Sequence, residues 1–139
     1  MKEFEEFIKS GEVRMQTVNS ILNKALINSS FDRLEFVKRL NIKTDYKYIV
    51  ENAYDVLREL IESQLAVEGY KSYSHEATIL FLKKFKDITE QEISMLDNLR
   101  KVRIGLKYYG KESNPEDARQ TLVLLKTILP KLKKILKIS

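Results

Sequence analysis

Apolar residues recur along this chain at helical spacing rather than in the strict alternation of strands. Phe4, Ile8, Gly11, Met15, Val18, Leu22 and Ala25 step by alternating four and three, which places them on one helix face. A first helix is therefore expected from about Lys2 to Asn28. Gly11 is its weak point, because an interior glycine costs about 1 kcal/mol against alanine. A break there, or the close approach of a neighbour, is the alternative. Asn28-Ser29-Ser30 ends the stretch, and Leu34, Val37 and Leu40 suggest a short second helix. A long helix should start near Thr44 or Asp45 and end at Gly69, a natural left-handed C-cap. Its stripe is Ile49, Ala53, Val56, Leu60 and Val67. Leu57 and Ile61 widen it and predict burial on more than one side.

Lys71-Ser72-Tyr73-Ser74 reads as a turn, with Ser74 as N-cap of a helix over His75–Phe85. Thr89-Glu90-Gln91-Glu92 matches a capping box, and the helix behind it should run to about Tyr109, stopped by Gly110. Asn114-Pro115 opens the last helix, with proline where its missing N–H does no harm. Leu122, Leu125, Leu129, Leu132 and Leu136 form its seam, and Pro130 should kink or break it. The sum is an all-α antiparallel bundle of about five long helices, one domain over residues 1–139.

Composition narrows the chemistry. There is no cysteine, so disulfides, zinc–thiolate sites and thiol nucleophiles are excluded, which fits a reducing cytoplasm. One histidine and no paired-carboxylate spacing speak against a metal, and no glycine-rich phosphate loop is present, so no cofactor is expected. The start, KEFEEFIK after Met1, has no apolar run like that of a signal peptide, and no apolar stretch approaches membrane-spanning length. The formal charge of +5 permits contact with nucleic acid, although solvated helix faces alone can produce it. Lys131, Lys133, Lys134 and Lys137 near the end suit helix-dipole compensation.

The stretch Ile88–Gly110 carries most of the candidate chemistry. Met95, Leu99, Val102, Leu106 and Tyr109 form one seam. A second row, Ile93, Leu96, Arg100, Arg103 and Lys107, is rotated from it by about 100°. This row turns cationic for its last two turns. Like charges at such spacing repel unless something negative faces them, either a carboxylate of another helix or a phosphate. Tyr108 and Tyr109 follow directly, and aromatics beside cations suit nucleic acid as well as ordinary surface packing. His75 is the only histidine; hydrogen bonding at a helix start is its ordinary role.

Asp97-Asn98-Leu99-Arg100-Lys101-Val102-Arg103, ending in Lys107-Tyr108-Tyr109-Gly110, resembles the late helix of HEPN domains. So do Ala53–Leu60 and the Gly69 to Ser74-His75 turn. The resemblance covers roughly residues 44–139, leaving 1–43 as an N-terminal helical hairpin or extension. It implies a helical bundle that usually dimerises. In active members a metal-independent ribonuclease site combines an arginine with a histidine four to six residues on. Arg103 matches the arginine, but the histidine position is taken by Tyr108, Tyr109 and Gly110. RNA cleavage by that route needs a group of near-neutral pKa, which tyrosine is not. The resemblance therefore implies a homodimer that binds RNA or nucleotide phosphate through Arg100, Arg103, Lys107, Tyr108 and Tyr109. The alternatives are a helical partner of a small nucleotidyltransferase in a toxin–antitoxin-type pair, and an endoribonuclease using Arg103 with Tyr108 or His75.

Overall fold

The longest apolar stripe becomes the centre of the molecule. In the computed structural model, which describes residues 3–139, the elements are α1 (Phe4–Ser10), β1 (Val13–Met15), α2 (Ser20–Lys38), α3 (Tyr46–Glu68) and β2 (Tyr70–Ser72). They are followed by α4 (His75–Leu80), a 3-10 turn (Phe81–Lys84), α5 (Glu90–Tyr108) and α6 (Pro115–Leu136). Met1 and Lys2, the expected start of the first helix, lie outside the described residues. The chain is an all-α helical bundle with one small two-stranded ribbon.

α3 packs chiefly against α2 and α6, with α4 and α5 against its remaining surface. Val50, Ala53, Val56, Leu57 and Leu60 lose all contact with solvent. A helix buried on several sides must be apolar nearly all round, as the widened stripe anticipated. Its capping Gly69 has φ +84°, in the left-handed region. α2 and α3 run antiparallel: the Asn23 amide donates to the Ser63 carbonyl at 2.9 Å, while Arg33, further along α2, reaches back to Asn52. α5 and α6 do the same: Glu92 in the first turn of α5 pairs with Lys131 near the end of α6, and Asp87, just before α5, pairs with Lys134. The predicted capping box forms at Thr89/Glu92, and α6 starts at Pro115 as expected, where Asn114 and Asp117 make a second box that the sequence reading had not named. Ser74 caps α4 through the Ala77 amide.

The N-terminal third departs from the sequence reading. No helix spans residues 2–28. Gly11 takes φ +84° and ends α1, and Val13–Met15 then pairs antiparallel with Tyr70–Ser72. Met15 and Val18, expected on a buried seam, are 74% and 58% exposed, while Val13 enters the core. Nor does Asn28-Ser29-Ser30 end a helix: α2 runs through it to Lys38, absorbing the expected short second helix. The buried Ser30 hydroxyl donates to the Ile27 carbonyl at 2.8 Å, so serine's polar group is satisfied inside the helix. The expected turn at residues 71–74 is strand through Ser72, and the His75 helix tightens into a 3-10 turn at Phe81.

α6 continues unbroken through Pro130. The carbonyl deprived of its partner belongs to Lys126, and both residues face solvent, where water satisfies the freed group. Among the described residues no helix is long and apolar enough to cross a membrane.

A guanidinium and histidine cluster as the candidate functional site

The two faces read on the late helix change places. Met95 and Val102 of the expected apolar seam are each 41% exposed, and Tyr109 is 72% exposed, though Leu99 and Leu106 are buried. The second row is the one that turns inward. Ile93 and Leu96 are buried, and the Arg100 and Arg103 side chains retain only 15% and 11% of their exposure. What faces them is carboxylate. Arg103 Nη2 lies 3.3 Å from Asp55 Oδ2 on α3, and Arg100 Nε lies 2.8 Å from Asp97 Oδ1 one turn back on α5. Lys101 shares Asp97 at 3.5 Å.

Asp55 is the hub. Arg58 Nε stands 3.3 Å from its Oδ1, and Arg33 Nη1 of α2 stands 3.8 Å from its Oδ2. These two arginines also hold carboxylates of their own: Arg33 pairs with Glu59 and Arg58 with Glu62, each at 2.8 Å. Among the described residues Arg103 has no second carboxylate, and its buried Nε has no hydrogen-bond partner. It is the least compensated guanidinium of the group. Placing two acids of one helix turn, Asp55 and Glu59, on the packed side of α3 puts them at i, i+4 facing α2 and α5 at once.

The histidine joins this cluster. The buried Tyr54 hydroxyl and His75 Nδ1 share a hydrogen bond of 3.3 Å, and the two rings are near parallel, 22° apart with centroids at 6.2 Å. Burial lowers the His75 pKa from its ordinary 6.5, and the nearby Arg58 and Arg103 guanidiniums lower it further, against an opposing pull from Asp55. Burial likewise raises the Tyr54 phenol, so it remains a proton donor across the physiological range. An imidazole kept neutral beside guanidiniums can accept a proton or a hydrogen bond from a ligand.

Of the residues singled out from sequence, Arg100 and Arg103 belong to this cluster. Lys107, Tyr108 and Tyr109 do not: none of the cluster's hydrogen bonds or ion pairs reaches them. They form an exposed tip of α5, with Lys107 Nζ 5.4 Å over the Tyr108 ring. Among the described residues Lys107 has no ion pair, and no group of acids and histidine could hold a metal ion. Tyr54, Asp55 and Arg58 escaped sequence reasoning as site residues. Their one signal was that Asp55 and Glu59 stand beside the apolar stripe positions Val56 and Leu60, where a charge that is buried must find partners. Compared with known protein families, curated proteins and solved structures, the chain finds no match.

Proposed function

We propose that this chain is a HEPN-like helical module, working as a homodimer, that binds the phosphates of RNA or of a nucleotide where α3, α4 and α5 meet. The observation that carries the reading is Arg103: a nearly buried guanidinium that shares one carboxylate with two other arginines and keeps an unpartnered Nε. A phosphate oxygen reaching the part of the Arg103 side chain that stays exposed adds to its single carboxylate, and Arg100 and the exposed Lys107 on the same helix row extend the contact. Tyr108 and Tyr109, exposed beside Lys107, offer base-stacking surface. The groove between α5 and α6, lined by Met95, Leu99, Val102 and Leu124 together with the polar Asn98, Asp117, Gln120 and Thr121, is a surface available to a second copy, or to the nucleotidyltransferase partner of the alternative reading.

A specific observation also favours the ribonuclease reading. The sole imidazole, His75, lies in the field of Arg58 and Arg103, so it takes precedence over Tyr108 as the group that would move a ribose proton. The test is a metal-free assay on mixed single-stranded RNA, with binding read by gel shift, using intact protein beside Arg103→Ala and His75→Ala. Three cations on phosphate predict a slope of log affinity against log salt of about −2. Salt-insensitive binding refutes the phosphate reading. Cleavage lost in both variants supports the ribonuclease, and neither activity points to a protein partner.

A further inference from the structure

β1 and β2 are three residues each, and their register sets Arg14 directly opposite Lys71. Like charges opposed across an antiparallel pair destabilise it. No carboxylate relieves them: among the described residues neither takes part in an ion pair, and the acid next along the chain, Glu12, accepts from Ser10 instead. Both cations instead lie against one ring. The Arg14 guanidinium carbon is 5.3 Å and Lys71 Nζ 5.9 Å from the centroid of Tyr73. The ring is nonetheless 64% exposed, so its surface is mostly open.

The platform is held rigidly. The Tyr73 amide donates to the Glu12 carbonyl at 2.7 Å, and the Ser72 hydroxyl donates to the Ser74 carbonyl at 2.7 Å. Ser74 in turn caps α4. Tyr73 is two residues from His75, so their Cα atoms are within about 7 Å of one another.

We propose that the β1–β2 ribbon carries a nucleotide subsite for single-stranded RNA, in which a base stacks on Tyr73 while Arg14 and Lys71 hold the flanking phosphates. Two uncompensated cations around an open aromatic ring match the alternating phosphates and π-faces of a single strand. An acidic peptide would satisfy the cations but leave the ring without a planar partner. The proposal rests on the reading that this chain binds RNA, and it adds a second contact region at the β1–β2 ribbon, of which only Arg14 lies outside the stretch that the resemblance covers.

The experiment follows the backbone amides of the full-length chain by NMR during titration with single-stranded oligoadenylate of about six nucleotides. Affinities for the same oligomer, for inorganic polyphosphate and for a polyglutamate peptide are measured by competition for Tyr73→Ala, Tyr73→Phe, Arg14→Ala and Lys71→Ala. The subsite predicts shifts at residues 13–15 and 71–75. It also predicts that Tyr73→Ala weakens RNA binding by about tenfold while sparing polyphosphate, and that Tyr73→Phe stays close to the intact protein. Arg14→Ala and Lys71→Ala should weaken both polyanions and flatten the salt dependence. Shifts confined to residues 97–108, with Tyr73→Ala binding normally, overturn the subsite and leave the α5 phosphate reading intact. Shifts confined to the β1–β2 ribbon and Tyr73 support the subsite and overturn the α5 reading. Binding of polyglutamate in place of RNA, equal loss of polyphosphate in Tyr73→Ala, or no RNA shifts anywhere each overturn the subsite, the last together with the α5 reading.

Discussion

Asp55→Asn removes the charge that three guanidiniums share while changing the side chain's shape little. Arg33 and Arg58 keep Glu59 and Glu62, but Arg103 is left with no carboxylate at all. Deleting one partner of a buried pair typically costs 3–5 kcal/mol, because the other charge stays desolvated and unpaired. The Arg103 side chain is 11% exposed, so the lower end, about 3 kcal/mol, applies. For a chain of 139 residues, an unfolding entropy of about 2.1 cal/mol/K per residue converts this into a fall in Tm of about 10 °C. Arg103→Met should cost less, about 1 kcal/mol, since Asp55 retains Arg58 and Arg33. The double variant should be more stable than Asp55→Asn alone, because no orphaned charge remains. Urea and thermal unfolding followed by far-UV circular dichroism measure all three. An Asp55→Asn protein within about 1 kcal/mol of the parent, or an Arg103→Met protein less stable than Asp55→Asn, would refute the assignment of Asp55 as the hub.

Four further outcomes are expected. The His75 resonance should titrate below its ordinary 6.5, and Arg58→Ala should move the midpoint upward. Because the folded-state pKa is depressed, His75 contributes stability fully present above about 6.5 and lost as pH falls through the folded value, a slope that His75→Gln removes. At Glu92 burial opposes ionisation, but Lys131 and the Thr89 bonds outweigh it and lower the pKa below 4.5. Its contribution is therefore present above that value and lost in acid, and acid unfolding of Lys131→Met should begin at higher pH. Gly69→Ala should destabilise by about 2 kcal/mol, since an added Cβ would meet the Gln16 carbonyl oxygen at 2.9 Å on a backbone already at φ +84°. Pro130→Ala should raise Tm in calorimetry, by about 2 kcal/mol of stability, because it restores a helix bond at an exposed position.

What could be read from sequence was local. The Gly69 cap, the Ser74 cap, the capping box at Thr89, the Asn114-Pro115 start and the breadth of the α3 stripe all depend on residues within a turn or two of one another. Each structured as its own chemistry dictates. Periodicity was enough for the class of fold, because helical spacing repeats over most of the chain. Tertiary structure decided the rest. β1 and β2 meet across more than fifty residues, and a three-residue strand carries no period of its own, so Gly11 alone hinted that residues 12–19 would leave the helix. Which face of α5 turned inward depended on a carboxylate 48 positions away: Asp55 made it favourable to bury Arg103 while leaving Val102 and Met95 in water. The approach of Tyr54 to His75, and the convergence of Arg14 and Lys71 on Tyr73, are likewise consequences of packing. Charge, aromaticity and glycine can be counted along a chain. Their pairing is set by the hydrophobic burial that brings α3, α4 and α5 together.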